Sequence, residues 1–323
     1  MELIRGLHNL RPRHRGCVAT IGAFDGVHLG HQAVLSQLVD EAGSLSLPSV
    51  VIVFEPLPRE YLAPGDAPAR LMSFREKCLR LSQLGVDRLL CIRFDESLRR
   101  MSAMDFAQTL FVRGLGVRRL VLGDDFRFGR EREGDASSLR ELGQREGFST
   151  LPTATFAVDG ERVSSTRVRD ALAEGDLVLA SRLLGRDYTI SGRVVRGQQL
   201  GRELGAPTAN VELKRLRSPL AGVFAVRVDG PRLAAVPGVA NVGTRPTVSD
   251  GIRANLEVHL LEGSPDLYGH RIDVHFVHRF RAEKKYDSLE ALRDAIQDDI
   301  DTAQRWFQQN SPASHHSMDS SDT

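Results

Sequence analysis

Between about residues 17 and 153 short apolar runs alternate with amphipathic stretches. The runs are Cys17–Ile21, Ser49–Phe54, Arg88–Phe94, Arg118–Leu122 and Phe148–Pro152, and they read as nearly continuous rather than alternating. Continuous runs belong to strands covered on both faces, as in parallel sheets. The intervening stretches carry helical spacing, as in Leu35, Leu38, Val39 and Ala42. Ser73-Phe74-Arg75-Glu76 and Ser102-Ala103-Met104-Asp105 read as capping boxes. Gly43, Gly85, Gly114 and Gly147 stand where helices should stop. Strand-plus-helix units of this length predict βαβ crossovers and a doubly wound parallel sheet.

From Tyr188 the texture changes. Short apolar or alternating runs at Val194–Val195, Gly222–Val228, Leu233–Val236, Ala254–Leu260 and Ile272–Val277 follow closely. They are separated by Asp229-Gly230-Pro231, Pro237-Gly238, Asp250-Gly251 and Tyr268-Gly269. Closely spaced strands without helices between them predict a small antiparallel β-barrel. A helix closes it, capped by Asp287 or Ser288, with an apolar stripe of Leu289, Leu292, Ile296, Ile300, Ala303 and Phe307. These patterns place one domain over 1–185, a second over 186–308, and a polar, disordered tail over 309–323.

The composition changes this picture little. The 323 residues exceed what one core usually organises, and 41% hydrophobic with 26% charged side chains is ordinary for a globular protein. A net charge of +1 supplies no global case for nucleic acid or a membrane surface. The three cysteines, Cys17, Cys78 and Cys91, read as free thiols of a reducing compartment. No apolar run approaches a membrane span and the N-terminus lacks a secretory h-region, so the expected location is cytoplasmic.

Chemistry gathers at strand ends. Ile21–His31 lies on the turn from the first apolar run into a helix. In open α/β sheets ligands bind at such carboxyl ends, and helix starts offer unpaired N–H groups to phosphate. Three readings fit the stretch: a glycine-rich turn with solvated histidines, metal ligation by the histidine pair, or the phosphate site of an H-x-G-H nucleotidyltransferase. His28-Leu29-Gly30-His31 matches the last letter for letter. Metal ligation lacks a nearby third ligand. Gly123–Arg130 crowds acids, aromatics and arginines at another strand end, and Val163–Asp170 starts a capped helix with arginines in its first turn. Arginine there opposes the helix dipole, which a bound anion would compensate.

In the second domain, Gly192–Asn210 is a glycine-spaced loop without the Gly-Lys-Ser/Thr of a Walker A motif. Thr208 and Asn210 offer neutral oxygens on one side of an extended segment, which suits Mg²⁺ with substrate phosphates. Asn255, Glu257 and His259 share one strand face. Glu257 is either a solvated strand residue or a base for a hydroxyl.

Taken together, the chain resembles the bacterial bifunctional riboflavin kinase/FAD synthetase family from about Gly16 to Phe307. The resemblance rests on Gly22–His31, Phe54-Glu55-Pro56, Gly123–Gly129, Ser164–Arg169, Gly201-Arg202 through Pro207–Asn210, Asn241–Thr247, Glu257-Val258-His259, Leu267-Tyr268-Gly269 and Arg281-Ala282-Glu283. It implies FMN formation from riboflavin and ATP in the C-terminal domain, and FAD plus pyrophosphate from FMN and a second ATP in the N-terminal one. By that resemblance Glu257 is the kinase base, and Thr208 and Asn210 hold Mg²⁺. Gly197, Gly201, Arg202, Gly205 and Pro207 enclose the kinase ATP, while Arg281 and Glu283 lie near the flavin. His28, His31, Ser165, Thr166 and Arg167 contact the other ATP, with Gly22, Phe24 and Asp25 shaping its pocket and Asp125 near nucleotide or metal. Riboflavin, FMN and ATP are the implied partners of a monomer or weak oligomer. The family often has Asn before the motif's Phe, where this chain has Ala23. Two other functions compete: a cytidylyl- or adenylyltransferase for a lipid or coenzyme precursor, which leaves the Pro-Thr-Ala-Asn barrel unexplained, and a flavin-storage module without ATP turnover.

Overall fold

The computed structural model describes residues 1–123, 126–197, 206–215, 217–247, 251–263 and 265–310, with backbone alone at 244–247 and 251–253. Two compact units emerge: Met1–Arg186 together with Arg215–Pro219, and Asp187–Lys214 together with the chain from Leu220 on.

The first unit is built on a six-stranded sheet, all parallel. Its strands and helices run, in chain order, β1 (Glu2–Arg5), β2 (Val18–Ile21), α1 (Leu29–Ser44), β3 (Ser49–Glu55), α2 (Pro58–Leu62), α3 (Phe74–Gln83), β4 (Arg88–Arg93), α4 (Glu96–Arg100), α5 (Ala103–Ala107) and β5 (Arg119–Leu122). A hairpin of β6 (Arg127–Phe128) and β7 (Gly134–Asp135) follows, then α6 (Ala136–Glu146), β8 (Ser149–Pro152), a hairpin of β9 (Ala157–Val158) and β10 (Glu161–Arg162), α7 (Ser165–Glu174) and α8 (Leu177–Leu184). The sheet order is β1-β4-β3-β2-β5-β8, so winding reverses between β2 and β5. Alternate residues feed two cores. Ala19, Ile21, Val50 and Ile52 pack with Phe106, Leu110 and Leu139 on one face. Val18, Val51 and Val53 pack with Leu35 and Leu38 of α1 and Leu81 of α3 on the other.

The predicted strands are present, each within two residues of its expected ends. The Ser73 box closes as expected, Ser102 caps α5, and Gly147 ends α6 at φ 81°. Three features depart from the sequence reading. β1 was not anticipated and pairs with β4 at the sheet edge. Helix α1 runs through Gly43 to Ser44. Arg215 and its neighbours to Pro219 pack with the first unit although the surrounding chain belongs to the second. Arg215 has a fully buried guanidinium 2.8 Å from Glu76, and it donates to the Leu71 carbonyl at 3.1 Å.

The second unit is a closed antiparallel barrel of six strands, ordered β11-β12-β15-β14-β13-β16. They are β11 (Tyr188–Val195), β12 (Ala209–Val211), β13 (Gly222–Gly230), β14 (Leu233–Thr247), β15 (Gly251–Leu260) and β16 (Arg271–Arg281). Pro237-Gly238 does not end a strand as the sequence reading has it: β14 continues through it, pairing Arg227 with Pro237 and Gly238 with Leu260. The closing helix α9 (Leu289–Asn310) is capped by Ser288. It buries Ile300, Ala303 and Phe307, but Leu289, the first residue of the predicted stripe, is 63% exposed.

Candidate active sites

A cavity of about 500 Å³ opens at the carboxyl ends of β2, β3, β5 and β8, at the winding reversal where the fold class binds ligands. Gly22, Ala23, Phe24, His28, Gly30 and His31 supply one wall. Helix α1 begins here because His28 is its N-cap: the ring Nδ1 accepts from the His31 backbone N–H at 3.2 Å. An Nδ1 that accepts leaves the ring proton on Nε2, free to donate. The two imidazoles stack with centroids 3.7 Å apart and planes 17° from parallel. Gly30 makes room for this, since a Cβ there would stand 3.3 Å from the His28 ring.

Electrostatics keep the pair uncharged. Burial, then Arg162, pushes His28 down to about 4, with Arg169 and Arg186 adding to the shift and Asp25 opposing it. Burial holds His31 well below its ordinary value, helped by His28, Lys77 and Arg169. Each neutral imidazole keeps one ring N–H that can donate to an anion. His31 Nδ1 is buried without a hydrogen-bond partner.

The loop that carries them is held from behind. Lys77 donates to the Ala23 carbonyl at 2.7 Å, Ser165 to that of Asp25 at 2.8 Å, and Arg186 to that of Gly26 at 2.7 Å. Gln32 donates to the Val27 carbonyl at 2.9 Å. The Asp25 carboxylate accepts from the backbone of Leu71 and Met72 and from Arg169 at 2.6 Å. Phe24 and Val27 sit at φ 46° and 41°. For a β-branched residue that is a strained conformation, costing about 1–3 kcal/mol and kept only where surroundings over-determine it.

In the second unit, strand register places Asn210, Glu257 and Asn241 side by side across β12, β15 and β14. Asn255 donates to Glu257 Oε1 at 2.9 Å. Asn210 is 8% exposed and its Oδ1 is buried without a hydrogen-bond partner. Such an orphaned oxygen, beside a carboxylate, fits a hard cation. A cavity of about 470 Å³ next to it is lined by Pro207, Thr208, Ala209, His259, Leu267 and Tyr268, among others.

A family profile described as FAD synthetase matches residues 10–167, and one described as riboflavin kinase matches 184–307. A bifunctional riboflavin kinase/FMN adenylyltransferase of Pseudomonas fluorescens is 53% identical over 94% of this chain and 97% of its own length. The chain belongs to that family. The protein of that name from Escherichia coli K12 is 50% identical over 97% of this chain and 100% of its own. The crystal structure of a macrolide-efflux protein from Streptococcus pneumoniae shares the fold, with TM-score 0.78 and 28% identity over 95% of this chain and 100% of that one.

In the adenylyltransferase unit, Gly22, Phe24, His28, His31 and Ser165 line the cavity. Asp25 stands behind it as the staple just described. Thr166 is exposed and outside the lining. Arg167 lies outside it too, its guanidinium held by the carbonyls of Val158 and Glu161 at 2.9 and 3.1 Å and by the Glu161 carboxylate. Asp125 lies outside the described residues. Arg127, from the Gly123–Arg130 stretch, lines the cavity, and so do Arg132 and Arg162, which the sequence reading does not single out. Their signal was the two short hairpins that carry or flank them, too brief for a periodicity. Among the described residues no group of three or more His, Cys, Asp or Glu could hold a metal ion.

In the kinase unit, Thr208 and Pro207 line the cavity while Asn210 and Glu257 form the row beside it. Gly197 packs on Asn210, its missing Cβ leaving space that would otherwise stand 2.4 Å from Asn210 Nδ2. Gly201, Arg202 and Gly205 lie outside the described residues. Glu283 folds over Gly243, the strand partner of Asn255, where a Cβ would stand 2.2 Å from Glu283 Oε1. Arg281 turns to α9, forming an ion pair with Asp299 at 2.6 Å.

Proposed function

We propose that the two reactions of the family divide between these two sites, with 1–185 forming FAD and 186–308 forming FMN. In the kinase unit, Glu257 takes the proton of the riboflavin 5′-hydroxyl as that oxygen attacks the γ-phosphate of ATP, and the bond to the β-phosphate oxygen breaks to release ADP. Asn255 orients that carboxylate. Thr208 and Asn210 hold Mg²⁺, which when bound neutralises the developing phosphate charge. Gly197, Gly201, Arg202, Gly205 and Pro207 enclose this ATP, and Glu283 and Arg281 border the flavin. The row Asn210–Glu257 with its orphaned Oδ1 supports this reading.

In the adenylyltransferase unit, the FMN phosphate attacks the α-phosphate of ATP and pyrophosphate leaves. A phosphate nucleophile is already ionised, so the site needs position and charge stabilisation rather than a base. His28 and His31 donate to phosphate oxygens as negative charge shifts toward the leaving group. Ser165, Thr166 and Arg167 start the helix that faces the polyphosphate, with Gly22, Phe24 and Asp25 fixing the loop and Asp125 near nucleotide or metal. The stacked, neutral histidine pair in the cavity at the winding reversal carries this reading. The protein works as a monomer or weak oligomer in the cytoplasm, without nucleic-acid or membrane partners. The near-neutral charge supports the lack of nucleic-acid and membrane-surface partners.

The test is chromatography of the products made from riboflavin, ATP and Mg²⁺. FMN should appear first and FAD after it. Folded protein that yields neither product would overturn the reading.

A further inference from the structure

Helix α3 carries a charge where its apolar stripe should continue. Lys77 and Leu81, one turn apart, both face inward, and Lys77 is 2% exposed. Burying an ammonium is unfavourable, and its place in the first turn sets it against the helix dipole. A Met there would pack without either cost. Among the described residues its Nζ makes one hydrogen bond, to the Ala23 carbonyl at 2.7 Å. The charged groups around it include Asp25, Glu55, Arg70 and Glu60, the last held by Arg70, with the Cys91 and Cys78 thiols also near. None of the acids forms an ion pair with it. Asp25 is taken by Arg169 and Glu55 by Arg70, each at 2.6 Å. The ammonium therefore sits without a carboxylate partner directly beneath the residue that lines the cavity at the start of the histidine loop.

We propose that Lys77 is a positioning residue of FAD formation: it fixes the first turn of the Gly22–His31 loop through the Ala23 carbonyl, and its charge beneath the cavity floor attracts the ATP polyphosphate. The inference rests on the histidine loop being the site of AMP transfer. Because the bond goes to a backbone oxygen, it holds the loop whether residue 23 is Ala or the family's Asn. A buried, poorly paired cation that lowers stability is retained where it serves an anionic substrate.

The experiment compares Lys77→Met, Lys77→Gln and His28→Asn in the full chain, scoring FMN and FAD formation separately. Lys77→Met should keep or raise the melting temperature and leave FMN formation within twofold. It should lower kcat/KM for ATP in FAD formation at least roughly tenfold, the scale set by one preorganised charge. Lys77→Gln keeps a donor for Ala23 without the charge and should fall between. The titration of the histidine rings, read by NMR, should move to higher pH in both, since His31 then faces only His28 and Arg169 as basic neighbours. FAD kinetics within twofold of the parent in Lys77→Met, while His28→Asn abolishes FAD formation, would overturn the Lys77 assignment alone. So would a fall in FAD formation that merely tracks a lowered melting temperature with the histidine titration unmoved. Full FAD formation by His28→Asn would remove the site reading and this inference with it.

Discussion

The two sites solve phosphate chemistry in opposite ways. The histidine loop is gripped from behind: its carbonyls at Ala23, Asp25, Gly26 and Val27 are bonded to Lys77, Ser165, Arg186 and Gln32, and two of its residues hold strained backbones. The groups proposed to act there are neutral rings in a cavity that Arg127, Arg132 and Arg162 border. The kinase site is a row of polar side chains across three strands, with an acid at the centre and an orphaned oxygen beside it. On the proposed reading the difference follows from the nucleophile. A phosphate arrives ionised, so the site invests in fixed dipoles and shape. A hydroxyl arrives protonated, so the second site needs a carboxylate and oxygen donors for a cation.

That contrast is breakable. The largest expected effect is Glu257→Gln: FMN formation should fall by about 10²–10⁴, while FAD formation from supplied FMN stays within twofold. Loss of both products in folded protein would erase the contrast. His28→Asn should act in mirror image, lowering FAD formation by about 10²–10³ and sparing FMN formation. Asn210→Ala should raise the Mg²⁺ needed for half-maximal FMN formation at least roughly tenfold, measured by titrating Mg²⁺ at saturating substrates. An unchanged Mg²⁺ requirement would remove Asn210 from the cation site. The smallest effect concerns stability. His28 titrates at about 4 in the folded protein against 6.5 for an ordinary imidazole. Between those values the unfolded chain binds the proton and the folded one does not, so stability rises with pH. The contribution is fully present above about 6.5, is lost progressively as pH falls toward 4, and amounts to at most about 3–4 kcal/mol. Melting curves across that window should show the slope, and His28→Asn should flatten it.

Much of the scaffold was legible because its signals are local. Apolar runs two-sided enough for a parallel sheet, Ser73 and Ser102 at helix starts, and Gly147 at a helix end each need only neighbouring residues. Strand β1 was not, because four residues with Arg5 and Glu2 at their ends form no run; pairing with β4 makes them a strand. Pro237 reads as a breaker, yet it gives its carbonyl to Leu261 and needs no N–H of its own at the point where β15 ends. Of the residues proposed for the sites, His28, Gly30, His31, Glu257 and Asn210 stand out in the sequence by type and spacing, and the structure stacks His28 on His31 and pairs Asn210 with Glu257. Lys77 did not, since a lysine at a stripe position reads as a surface side chain until the fold covers it. Arg132 and Arg162 owe their place at the cavity to short hairpins that no period encodes.

The segment Arg215–Pro219 gives the chain an order of assembly. A ribosome delivers residues in sequence, and domains tend to fold as they emerge. The first unit cannot finish that way at Arg186. The guanidinium that meets Glu76 of α3 belongs to Arg215 and is made only after β11 and β12 of the second unit. Until then Glu76 lacks that partner, and breaking a buried pair of this kind costs about 3–5 kcal/mol. The half of the protein that is synthesised first is thus completed by a piece of chain from within the half that follows, which ties the maturation of FAD formation to continued synthesis into the kinase.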